Sequence, residues 1–145
     1  RENITLASLR RFCRGPFVVR AQEPAAARGH AERLRIKTPS VEVGVAALSG
    51  GNRQKVVLAR WLETRSRVLI FDEPTAGVDV GARQEIWALA DALTAEGRGV
   101  IVVSSDLDEL LAICDRIVVM CEGRIAGELD RSEATREAIM TLAAA

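Results

Sequence analysis

Two adjacent carboxylates, Asp72 and Glu73, follow the apolar run Val68-Leu69-Ile70-Phe71 and precede Pro74-Thr75. A strand ending in paired acids fits one chemistry well. The first carboxylate holds Mg²⁺, directly or through water, and the second orients or deprotonates an attacking water. The plain alternative is a strand whose terminal acids are solvated before a proline turn. A second feature, Leu48-Ser49-Gly50-Gly51-Asn52, stands just ahead of a mostly apolar stretch, Gln54–Glu63. Free N–H groups, the positive end of a helix dipole and a serine hydroxyl make an anion site there. The alternative is a serine-capped helix after a loose turn. Ala76-Gly77-Val78-Asp79 forms a third loop, with Asp79 suited to cap the next helix. Ser104-Ser105-Asp106 closes a second apolar run. Polar residues at strand ends face the crevice where α/β sheets bind ligands; the alternative is a Ser–Asp cap for the next helix.

The elements that position these loops follow from periodicity. Val68–Asp72 and Gly99–Ser104 read as buried strands. Ala82–Ala95 reads as a helix, with Ile86, Leu89, Ala90 and Leu93 at i, i+3, i+4 and i+7. Asp106–Cys114 is a short helix. Arg116–Cys121 and Arg124–Leu129 flank Glu122-Gly123 as a hairpin. A last helix over 132–144 has Ser132 as its expected cap. Upstream, Ile4–Arg11 is short and apolar, and Arg14-Gly15-Pro16 breaks it. Pro24–Lys37 is helical, with Ala27, Ala31 and Leu34 on one face. Alternating strands and helices predict a parallel sheet ending in an antiparallel edge.

The chain has 145 residues, with 20 Lys and Arg against 20 Asp and Glu. That balance argues against a non-specific nucleic-acid binder. Aromatic residues make up 3%, too few for stacking on single strands. No apolar run nears the ~20 residues that span a bilayer. Cys13, Cys114 and Cys121 lack CxxC spacing, so reduced, packed thiols are expected. The first residue is Arg, and a start within something longer is expected.

The four features, in this order, resemble the nucleotide-binding domain of ATP-binding cassette (ABC) transporters. Leu48–Asn52 resembles the family's LSGGQ signature, with Asn in the last place. Val68–Glu73 resembles the Walker B strand and its glutamate, and Ala76–Asp79 the D-loop. Val103–Asp106 aligns with the switch segment, where Ser105 replaces the family's histidine. The pattern is similar to the C-terminal cassette of tandem sugar-import ATPases of the ribose, xylose and galactose type. Coiled-coil DNA-repair ATPases share some of these motifs. Residues 1–45, however, carry three prolines and no sustained heptads.

The resemblance implies the C-terminal part of a P-loop NTPase (RecA-like) ABC cassette. Its α/β core would hold a mostly parallel sheet with flanking helices, plus part of the helical subdomain. Residues 1–48 would be the partial helical subdomain, and 49–145 the signature helix with the Walker B, D-loop and switch half. ATP and Mg²⁺ are the implied cofactors: Asp72 for the metal, Glu73 and Ser105 for catalysis, and Ser49, Gly50, Gly51, Asn52 and Asp79 for the nucleotide. The implied partners are a second cassette, in trans or upstream in the same chain, and transmembrane permease subunits. No nucleic-acid partner is expected. The expected location is cytoplasmic and peripheral at the inner face of the cell membrane, with membrane contact only through the permease.

Two departures stand out. The P-loop, G-x-x-x-x-G-K-[ST], is absent, since neither Lys37 nor Lys55 follows a glycine. In the family that loop precedes the residues matched here. An inactive isolated chain is therefore expected, with an apolar sheet face left open. The alternatives are a non-catalytic interaction module that completes a partner's site in trans, and an inert remnant. The second departure is Ser105 itself. The only histidine, His30, is expected at the surface of the Arg/Ala helix.

Overall fold

A computed structural model describes residues 1–144. Ala145, the last residue of the 49–145 segment, lies outside the described residues. Two compact units emerge: Arg1–Ile70 with Pro74–Ile101, and Phe71–Glu73 with Val102–Ala145.

The first unit opens with α1 (Glu2–Thr5) and a 3₁₀ stretch, Leu6–Phe12, kinked at Ser8. A small antiparallel hairpin follows, β1 (Cys13–Arg14) with β2 (Phe17–Val18). Helix α2 (Glu23–Arg33) has Pro24 in its first turn, where the missing N–H is no loss. It stops short of the expected Lys37 because the chain leaves the helical region, with Arg35 at φ +50°. Ala27 and Leu34 are buried, as their spacing requires. Helix α3 (Gly50–Glu63) buries Lys55, Leu58, Ala59 and Leu62, one stripe at helical spacing, and packs on α1 and α2. Helix α4 (Val80–Ala95) buries Ile86, Leu89, Ala90 and Leu93, the four positions that periodicity selects. Its first turn is capped by Asp79, whose carboxylate accepts from the Ala82 N–H at 2.9 Å.

Strands β3 (Val68–Asp72) and β4 (Gly99–Val103) pair with each other. The Gly99 N–H donates to the Arg67 carbonyl at 2.9 Å, and the Glu73 N–H to the Val103 carbonyl at 2.8 Å. Both strands thus advance in the same direction, and the pair is parallel. The expectation of buried strands is corrected. Leu69 and Phe71 are buried, but Val68, Ile70 and Ile101 are each more than half exposed. Apolar side chains alternate to both sides of a strand, and only one side of this pair is covered.

In the second unit, α5 (Leu107–Ile113) leads to β5 (Arg116–Cys121), β6 (Arg124–Asp130) and α6 (Arg136–Ala143). The hairpin turns at Glu122 and Gly123, with φ +46° and +76°. Two consecutive positive φ values match the right-handed twist of the flanking strands. Ile117, Val119 and Ile139 form a core with Leu107, Leu110 and Leu142 around them. The α/β expectation holds, with the parallel part confined to β3 and β4. The expected antiparallel edge is instead a separate two-stranded sheet, because β5 pairs with β6 alone. Among the described residues, no helix is long and apolar enough to cross a membrane.

The expected cap of the last helix is also corrected. Thr135, not Ser132, occupies that position, and its Oγ1 accepts from the Ala138 N–H at 3.1 Å. Thr135→Ala is expected to lower stability by about 1 kcal/mol in urea melts. Ser132→Ala should change it by less than about 0.5 kcal/mol.

Candidate functional site

In the first unit, Ser49 is exposed at the N-cap of α3, with extended backbone (φ −62°, ψ 161°). Its side chain does not cap the helix. Instead, Ser49 Oγ accepts from Asn52 Nδ2 at 2.9 Å, and Asn52 Oδ1 accepts from the Lys37 N–H at 2.8 Å. The serine hydroxyl is thereby left to donate outward. Gly50 and Gly51 open the helix, where N–H groups lack intrahelical partners. A Cβ on Gly51 would lie 3.0 Å from Ala82 Cβ, a tight approach that would push on the start of α4, so the packing favours glycine there. Gly50 faces the Gly77 carbonyl, 3.8 Å from where its Cβ would stand. Gly77 has φ +69°, which favours glycine. The loop carrying Asp79 therefore abuts the serine-glycine turn through Gly77 and Ala82.

In the second unit, Asp72 ends β3 with an exposed side chain, and Glu73 is half-buried. Glu73 has φ +45°, a strained position for a residue with a Cβ. Its carboxylate Oε1 accepts from the Ser105 N–H at 2.7 Å. Two residues placed 32 apart in the chain, Glu73 and Ser105, are thus brought together. The contact uses the main chain of residue 105, and the Ser105 side chain is exposed. Ser104 Oγ accepts from the Asp106 N–H at 3.0 Å, and Asp106 caps α5 through the N–H groups of Asp108 and Glu109. Among the described residues, no group of three His, Cys, Asp or Glu is placed to hold a metal ion. Asp72 offers one free-standing carboxylate, which suits a cation that takes its other ligands from phosphate and water.

A family model described as "ABC transporter" matches residues 3–76. The chain belongs to the ABC transporter family. A ribose import ATP-binding protein of Rubrobacter xylanophilus is 54% identical over 142 residues, covering 98% of this chain and 28% of that protein. A ribose import ATP-binding protein of Rhodopirellula baltica is 51% identical over 142 residues, with the same coverage of 98% and 28%. This chain therefore spans just over a quarter of the length of these curated relatives. Among solved structures, a dimeric bacterial ABC transporter cassette superposes with a TM-score of 0.73 at 24% identity. It covers 90% of this chain and 55% of its own, which supports the cassette fold.

One cluster around buried Glu63 escaped the sequence reading. His30 is not at the surface: its side chain is 14% exposed, and Nε2 lies 2.7 Å from Glu63 Oε2. Arg11 donates to Glu63 Oε1 at 2.7 Å and to the Glu63 carbonyl at 2.5 Å. These partners sit 33 and 52 residues apart, and no local pattern signals such a pairing. The cluster fastens the C-terminal end of α3 to α2 and to the 3₁₀ stretch. Lys55 is buried as well, ion-paired to Glu85 and donating to the Arg35 carbonyl at 3.3 Å. Glu63→Ala leaves Arg11 and His30 without their carboxylate. The expected loss is about 2 kcal/mol by chemical denaturation, and an unchanged midpoint would contradict this placement.

Proposed function

We propose that this chain is the signature-bearing, Walker B part of an ATP-hydrolysing cassette from a sugar importer. Residues 1–48 would supply part of its helical subdomain and 49–145 the signature and Walker B half. The observation that carries this reading is the exposed Ser49-Gly50-Gly51 turn, in a chain of this family that has no G-x-x-x-x-G-K-[ST] sequence. Its unpaired helix N–H groups and the Ser49 hydroxyl would grip the γ-phosphate of ATP held by the P-loop of a second cassette. Asn52 would orient Ser49 as a donor. Asp79 would hold the adjoining loop that links the two sites.

Asp72 would supply the one carboxylate ligand of Mg²⁺, which when bound neutralises charge on the phosphates. Glu73 would act on the attacking water. With Oε1 taken by the Ser105 N–H, Oε2 remains to accept a hydrogen bond, and then the proton, from that water. Ser105 lacks an imidazole to reach the phosphate, which supports slow hydrolysis at its own site. The partners are a second cassette and transmembrane permease subunits. Through the permease, the chain would lie on the cytoplasmic face of the cell membrane. The import of ribose or a similar sugar is named for the relatives and is proposed here for the intact protein.

Phosphoryl transfer depends on positioning and stabilising the phosphates, and paired carboxylates without a phosphate cradle repel them. The purified chain should therefore show no magnesium-dependent ATP turnover. Turnover that Glu73→Gln abolishes would overturn this. The chain should associate with a P-loop-bearing cassette of the same family when ATP is present. Ser49→Arg should lower that affinity at least tenfold in sedimentation or light-scattering assays. In a full-length version, Ser105→His should raise turnover, because the main-chain bond to Glu73 survives the change. An unchanged rate would argue against the role given to Ser105. The alternative, an interaction module without turnover of its own, keeps the association and predicts no gain from Ser105→His.

A further inference from the structure

We propose that the β1–β2 hairpin docks on an anionic lipid surface, a contact separate from ATP chemistry and added to the permease-mediated one, which the sequence alone implies as the sole membrane contact. Residues 3–22 hold four arginines and no Asp or Glu, in a chain whose charges otherwise balance. Arg11 is satisfied by Glu63. Arg10, Arg14 and Arg20 are exposed, and none has an ion-pair partner among the described residues. The nearest acid downstream in the chain, Glu23, is buried and accepts from Thr5 Oγ1 at 2.7 Å, so it does not neutralise them.

The apex is apolar. Phe17 is 75% exposed and Val18 38%. In the hairpin register Arg14 stands opposite Phe17, so a cation and a ring share one face. The turn between them, Gly15-Pro16, has Gly15 at φ +62°, and both turn residues are exposed. An exposed turn with an aromatic ring opposite Arg14, and with exposed Arg10 and Arg20 within four residues of the strands in sequence, suits a planar, deformable surface. The ring enters the headgroup region while the guanidinium groups pair with lipid phosphates and carboxylates. An acidic peptide would instead need a groove, and a two-residue turn offers none.

Each arginine near an acidic bilayer is worth roughly a factor of five, so three give about a 100-fold preference over neutral lipid. The test is co-sedimentation of the 145-residue chain with vesicles of phosphatidylcholine alone or with 30% (chosen composition, on the order of a cytoplasmic leaflet) phosphatidylserine. Binding should favour the acidic vesicles about 100-fold at low salt and fade as salt shortens the screening length. Changing Arg10, Arg14 and Arg20 together to Ser should erase the preference. Phe17→Ser should weaken binding to both vesicle types. If the triple variant loses its circular dichroism signature, Arg14→Gln and the salt titration of the unaltered chain decide. Equal, salt-insensitive binding to both vesicles would assign the contact to the open apolar face at Val68, Ile70 and Ile101 and overturn the proposal. Capture by polyglutamate with no vesicle binding would overturn it in favour of an acidic protein partner. Neither result depends on whether the chain meets ATP.

Discussion

The main-chain bond between Glu73 and Val103 is the constraint on which the chemistry proposed for the second unit rests. It sits where the parallel β3–β4 pairing ends, one residue past Asp72. Residue 73 is thereby held at positive φ, a conformation that costs on the order of 1–2 kcal/mol for a residue with a Cβ. The same turn brings the Glu73 carboxylate to the Ser105 N–H. One register thus fixes both the backbone and the side chain of this glutamate. A chain that slipped by one residue would turn Glu73 to the opposite side of the strand. The strain is sustained because two hydrogen bonds from one segment over-determine the position.

The first unit solves a different problem. A helix N-terminus attracts anions only while its N–H groups and nearby hydroxyl stay unclaimed. Ser49 does not cap its own helix; its oxygen accepts from Asn52 instead, and Asn52 is held in turn by the Lys37 N–H. Gly51 is favoured by its close contact with Ala82. At the far end of α3 the His30, Glu63 and Arg11 cluster fastens the same helix to its neighbours. An anchored C-terminus and an unclaimed N-terminus together leave α3 able to present its first turn to the phosphate proposed for it.

Much of this was legible in local pattern. The stripe on α4, the Glu122-Gly123 turn and the Asp79 cap each follow from spacing within a few residues, and the structure places them as expected. The resemblance to the ABC transporter family was legible because Leu48–Asn52, Val68–Glu73 and Ala76–Asp79 occur in one order with fixed spacing. What escaped depends on distant partners. His30 was unreadable because its carboxylate lies 33 residues away. The cap of α6 was misplaced because Ser132 and Thr135 are equally good candidates, and only the course of the chain separates them. The burial of β3 and β4 was overestimated because an apolar run says what a strand could bury, not whether anything covers it. The two-residue strands of the first hairpin are too short to carry any period.

In the function proposed here, the Ser49 turn meets a triphosphate held by another cassette. The direct measurement is cross-linking from that residue. With Cys13, Cys114 and Cys121 replaced by Ala, Ser49→Cys would be mixed with a P-loop-bearing cassette of the family and an ATP analogue carrying a thiol-reactive group on its γ-phosphate. The account predicts a covalent adduct at residue 49 that forms only with the cassette present. Labelling that proceeds equally without the cassette, or fails with it while a control thiol reacts, would contradict it.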